Sequence, residues 1–203
     1  MGAGQDLELK RLTYFSDAVF AIAMTLLAVD LRLADDLSTE TVGSAMVDLV
    51  PTFAAFTLSF AVVGIYWIAH HRMFRYIVRW DGKLLVVNLV FLFFIALQPA
   101  TTSALGRHGD LAIPTILYSL GIFATGLSST GIWVHAVRAS LVDSSLSKSQ
   151  IRYLLLRGLV APAVFGLSIP IAAISPISAQ IIWTTVFPFL WILARRYHTA
   201  LDL

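Results

Sequence analysis

The chain has no cysteine and little charge: Asp, Glu, Lys and Arg make up 13% of its 203 residues. The first absence excludes disulfides, thiolate metal sites and cysteine nucleophiles. The second excludes a water-soluble globule, since soluble domains carry about 25% charged residues. Disordered and nucleic-acid-binding tails are excluded by the same scarcity. What fills the chain is apolar: 58% hydrophobic residues and a mean hydropathy of +0.82. Its solvent is lipid.

A membrane-spanning helix needs roughly 20 mostly apolar residues. Six stretches qualify: Leu12–Leu31, Pro51–Ala69, Leu84–Leu105, Leu111–Val137, Leu154–Ile174 and Ile177–Leu193. None alternates as a barrel strand does. The expected fold is an all-α integral membrane protein of six helices, with residues 1–203 forming a single membrane domain. The first apolar run, Ala18 to Val29, is short enough to suggest a secretory signal. Asp6 and Glu8 before it, and the lack of a small-residue cleavage site after it, argue against that.

Of the 14 Lys and Arg, twelve fall on alternate connections: Lys10 and Arg11, the stretches Arg72 to Lys83 and Arg138 to Arg157, and Arg195 with Arg196. Only Arg32 and Arg107 fall opposite. Basic residues stay inside, so both termini are expected in the cytoplasm of a cell that carries the protein in its plasma membrane. The other side carries Asp30, Asp35, Asp36 and Glu40, an acidic rim that would gather cations.

Some features describe packing. Gly158, Pro162, Gly166 and Pro170 recur every fourth residue in the fifth span, a small-residue face suited to close helix approach. Pro99 is expected to kink or break the third span. Trp67, Trp80, Trp133, Trp183 and Trp191 lie mostly toward span ends, as interfacial anchors do.

The first span carries chemistry. Ile22, Thr25, Leu26 and Val29 stand at i, i+3, i+4 and i+7, one aliphatic stripe with a single hydroxyl. As a packed helix residue, Thr25 would turn its hydroxyl back onto Ala21. Asp17 lies about 130° from that stripe, so the helix has two distinct faces. A carboxylate within a span is costly unless paired. Arg11, Trp67, His70, His71 and Asn88 lie near the same depth and are its candidate partners, in a polar network joining three helices. Adjacent His70 and His71 point about 100° apart on a helix, which argues against a metal site. No nucleophile, base and metal cluster marks an enzyme.

Arg11-x-x-x-Phe15-Ser16-Asp17 matches the RxxxFSD signature of the transmembrane protein 175 family. The following Ala-Ile-Ala-Met-Thr-Leu-Leu run and Trp67 with His70-His71 also resemble its prokaryotic members. The resemblance covers essentially the whole chain. It implies a potassium-selective leak channel without a TVGYG filter, assembled as a homotetramer around the first helix. By position, it implies that Ile22, Leu26 and Val29 form stacked hydrophobic constrictions and that Thr25 contributes to cation preference. Val29 departs from the more common Leu, which loosens the outer ring. Phe15 and Ser16 join Asp17 in the inter-helix network. Permeant K⁺, the bilayer and further copies of the chain are the expected partners, with no cofactor and no nucleic acid. The alternative is a proton-coupled or cation secondary transporter using Asp17 and His70 or His71.

Overall fold

The computed structural model describes residues 3–33 and 38–197. Among the described residues, six helical segments are long and apolar enough to cross a membrane: Leu7–Asp30, Val50–Phe74, Gly82–His108, Ala112–Arg138, Lys148–Ile174 and Pro176–Tyr197. They are built from α1 (Ala3–Leu26) with a 3₁₀ turn over Leu27–Asp30, α3 (Val50–Phe74), α4 (Gly82–His108), α5 (Ala112–Arg138), α6 (Lys148–Ile174), α7 (Pro176–Trp183) and α8 (Val186–Tyr197). A short α2 (Val42–Asp48), absent from the expected spans, precedes α3.

Local chemistry sets several boundaries. Asp81 accepts from the Leu84 N–H at 2.7 Å and starts α4. Ser147 and Gln150 form a reciprocal capping box at α6. Ser175 caps α7, with Pro176 in its first turn. The sixth span departs from expectation, being divided at Thr184–Thr185. Pro188 lacks an N–H, and its ring crowds the Thr184 carbonyl four residues back, which favours a break there. Pro99, by contrast, lies within a continuous α4 and does not break it.

α1 packs against α3 and α4, α4 against α5, and α5 most extensively against α6, with α7 and α8 beyond. Gly126 makes the α5–α6 approach possible. A Cβ there would lie 2.5 Å from Pro162 Cδ and 2.9 Å from Tyr66 Oη. Gly126→Ala is expected to destabilise the protein by about 1–3 kcal/mol through overpacking, read as a lower midpoint in thermal unfolding. Trp133 and Trp183 are not interfacial anchors. Both are buried, donating to Ile151 O at 3.1 Å and Ser168 Oγ at 2.9 Å. Trp191 fits the anchor role, exposed with the Arg195 guanidinium 3.7 Å above its ring.

At the basic end, the α3–α4 and α5–α6 connections pair. Val78 N donates to Leu141 O and Asp143 N to Tyr76 O, both at 2.9 Å, and Arg79 donates to Ser140 O. Asp81 also meets His135 Nε2 at 2.9 Å. Partial burial pushes the Asp81 carboxyl up, but the Leu84 N–H, His135 and the Lys83 N–H together hold it below the usual carboxylate range. A lowered native pKa stabilises the fold above the unfolded-state value, and that contribution is lost as pH falls through the native one. Asp81→Asn is therefore expected to flatten the stability profile below about pH 4, measured by unfolding midpoints across an acid series.

Candidate functional site: the two faces of the first helix

One face of α1 is interior. Leu12, Ser16, Phe20, Ala23 and Leu27 are all buried, at helical spacing. The opposite face carries Ile22 (59% exposed), Leu26 (46%) and Val29 (45%), with Thr25 among them. The stripe therefore takes no part in the subunit core. Thr25 Oγ1 donates to Ile22 O at 2.8 Å, rather than to Ala21 as expected. That bond orients the hydroxyl proton toward the backbone and leaves oxygen lone pairs on the open face.

The polar residues at the basic end resolve into two links. Trp67 Nε1 donates to Asp17 Oδ1 at 2.9 Å, joining α3 to α1. The second link is buried: Asn88 Nδ2 donates to Ser16 Oγ at 3.0 Å, and Asn88 Oδ1 lies 3.0 Å from His70 Nε2. Ser16 in turn donates to Leu12 O at 2.9 Å. This chain ties α1, α4 and α3 together. His70 stacks on Phe74, with ring centroids 4.2 Å apart, and on Phe91 at 5.5 Å.

Three expected members fall outside these hydrogen-bonded links. Arg11 donates to Glu8 Oε1 at 3.0 Å, because a flexible cation at a helix end finds the carboxylate one turn away on its own exposed surface. Phe15 is 53% exposed on the open side of α1. His71 is exposed and reaches the site through ring contact with Trp67, with centroids 6.0 Å apart. His70 and His71 thus part company, one interior and one outward.

The acidic rim is also altered. Asp30 accepts from Arg107 Nη2 at 2.6 Å, so its charge is offset by the basic residue at the end of α4. Glu40 is exposed, while Asp35 and Asp36 lie outside the described residues.

The sequence-matching family model, endosomal/lysosomal potassium channel TMEM175, covers residues 11–99. That range holds the whole α1 stripe and both polar links. A potassium channel of Streptomyces collinus is 32% identical over 170 residues, covering 81% of this chain and 82% of its own. The chain belongs to the TMEM175 family.

It is a multi-pass membrane protein of that family. A potassium channel of Chamaesiphon minutus is 34% identical over 143 residues, covering 68% of this chain and 70% of its own. The crystal structure of a lysosomal potassium-selective channel TMEM175 homolog from that organism superposes with a TM-score of 0.77 at 25% identity, over 93% of this chain and 97% of that one. The human endosomal/lysosomal proton channel TMEM175 is 31% identical over 145 residues, which span 66% of this chain and 29% of the human protein.

Several polar contacts deeper in the TMEM175 fold escaped the sequence reading. Gln98 Nε2 donates to Thr125 at 3.3 Å. Thr102 donates to Ser59, which donates to Tyr118, at 2.8 and 3.0 Å. Ser119 and Ser168 meet at 3.1 Å. Gln98 carried a signal, being an amide within an apolar run. The hydroxyls carried none, because Ser and Thr can satisfy themselves on their own helix.

Proposed function

We propose that the chain forms a potassium-conducting channel, four copies assembling so that their first helices line a central pore. The observation that carries this reading is the open stripe of α1. Its apolar residues stay outside the subunit core while the opposite face of the same helix is buried. Three relatives named potassium channels, each matched over two thirds or more of both chains, support the same reading.

In this arrangement Ile22, Leu26 and Val29 stack as apolar rings, which gate by dewetting. Thr25 presents hydroxyl lone pairs between the first two rings, oxygen ligands for a cation that has shed water. The Asp17–Trp67 and Ser16–Asn88–His70 links hold the tilt of α1 and so the resting width of the rings. K⁺ is the permeating ion, and no bound cofactor is needed. The distribution of Lys and Arg supports cytoplasmic termini and a plasma-membrane setting.

Proton-coupled transport through Asp17 and His70 has less support. Asp17 accepts from Trp67, and His70 is engaged by Asn88 and enclosed by aromatic rings. The deciding measurement is flux from KCl-loaded proteoliposomes into NaCl, followed with a pH dye and a proton carrier. Rapid flux that disappears when internal K⁺ is replaced by Na⁺ is the expected result. Proton uptake without the carrier, and indifference to K⁺, would instead favour the transporter.

A further inference from the structure

Between α3 and the divided sixth span lies a cleft of about 740 Å³, away from the α1 stripe. Of its lining residues, Asp48 and Asp110 lie just outside the spans and Arg107 at the end of one, whereas Leu58, Trp183 and Phe187 lie within spans. Leu58 stands on the third turn of α3, which starts at Val50, on the order of 12 Å along the helix. That is roughly the hydrocarbon depth of one leaflet. The cleft therefore runs from charged to apolar in the sense in which a lipid lies beside it.

We propose that this cleft holds one phospholipid whose headgroup carries both a phosphate and a primary amine. The charge pattern selects the class. The Arg107 guanidinium can donate two parallel hydrogen bonds to a phosphate. Asp48 and Asp110 can accept from an ammonium. An anionic headgroup brings no positive charge to the two carboxylates, and a quaternary ammonium has no N–H to donate. An acyl chain occupies the space over Leu58, Trp183 and Phe187.

The site has a consequence for the first helix. Arg107 Nη2 is also the donor to Asp30 Oδ1, at the end of the first span. A phosphate at Arg107 competes with Asp30 for that guanidinium, so occupancy loosens the rim end of α1. This coupling rests on the channel reading, whereas lipid binding does not.

The test is native mass spectrometry of the purified oligomer with dioleoyl phosphatidylethanolamine, phosphatidylglycerol or phosphatidylcholine, alongside flux in vesicles with and without the ethanolamine lipid. Preferential retention of the ethanolamine lipid is expected. Ala54→Trp, which fills the cleft wall, should cut retention about tenfold, Arg107→Gln should weaken retention of all three lipids, and Asp48→Asn with Asp110→Asn should remove most of the preference. Ile113→Trp, on an exposed position that does not line the cleft, should change neither. Equal retention of all three lipids, or an unchanged signal in Ala54→Trp, would overturn the proposal. So would loss of the oligomer in Ala54→Trp with lipid retained, which would assign the cleft to a second copy. Lipid retention with flux indifferent to lipid would refute the coupling to Asp30. Absence of flux in every lipid, with retention intact, would count against the channel reading and leave the lipid site standing.

Discussion

Ile22→Asn is expected to raise potassium flux about tenfold, equivalent to roughly 1.4 kcal/mol off the permeation barrier, and to admit Na⁺ alongside K⁺. The reasoning begins with water. A narrow ring of four branched aliphatic side chains offers no hydrogen bond to a passing hydration shell, so the pore there empties and the barrier is one of dewetting. Four carboxamides supply donors and acceptors at the same height and keep the water column continuous. Ions then cross without stripping, and discrimination by dehydration weakens. Because Ile22 is 59% exposed and outside the subunit core, the substitution should leave the fold intact. Unfolding midpoints should stay near wild type, as for surface changes of within about 0.5 kcal/mol. Parallel K⁺ and Na⁺ flux assays in proteoliposomes read the effect. An intact oligomer with reduced flux of both ions would contradict a pore position for Ile22 and fit impaired turnover of a transporter.

Asn88→Leu should produce the largest loss of stability, about 2–5 kcal/mol. Asn88 is fully buried and serves two helices at once, donating to Ser16 and engaging His70 Nε2. Leucine keeps the branched skeleton but is bulkier, so overpacking at this fully buried site adds to the loss. Most of the cost arises because His70 is left with neither ring nitrogen partnered, as its Nδ1 already has no hydrogen bond. Buried polar groups without partners bear their full desolvation penalty. The double variant Asn88→Leu with His70→Phe should recover most of the loss, since the His70 ring already stacks on Phe74 and Phe91 and packs at a tilt against Phe20. Thermal retention of the oligomer on size-exclusion chromatography measures all three proteins. Additive losses in the double variant would show that the pair does not act as a unit.

The positions of these residues were legible before their partners were. Depth follows directly from chain position, because a helix rises a constant ~1.5 Å per residue. Asp17, Trp67, His70 and Asn88 could thus be placed near one level from spacing alone. The α1 stripe was equally readable, since its periodicity is a property of a single helix. Arg11 shows where such reading stops. It lies at the right end of the right helix, yet donates to Glu8. Which neighbour a polar group meets depends on how helices are rotated about their axes, and no local pattern encodes that rotation.

By itself the sequence determined the lipid solvent, the six spans, the distribution of basic charge between the two sides and the two faces of the first helix. Each depends on hydropathy, charge or period within a short window. The tertiary structure decided what required contact between distant segments. Asp30 meets Arg107 across 77 positions, Ser16 reaches His70 through Asn88, and Trp133 and Trp183 turn inward rather than to the interface. In lipid, apolar burial scarcely distinguishes one helix face from another. Close packing at Gly126 and satisfied hydrogen bonds make that choice, and both exist only once the helices have come together.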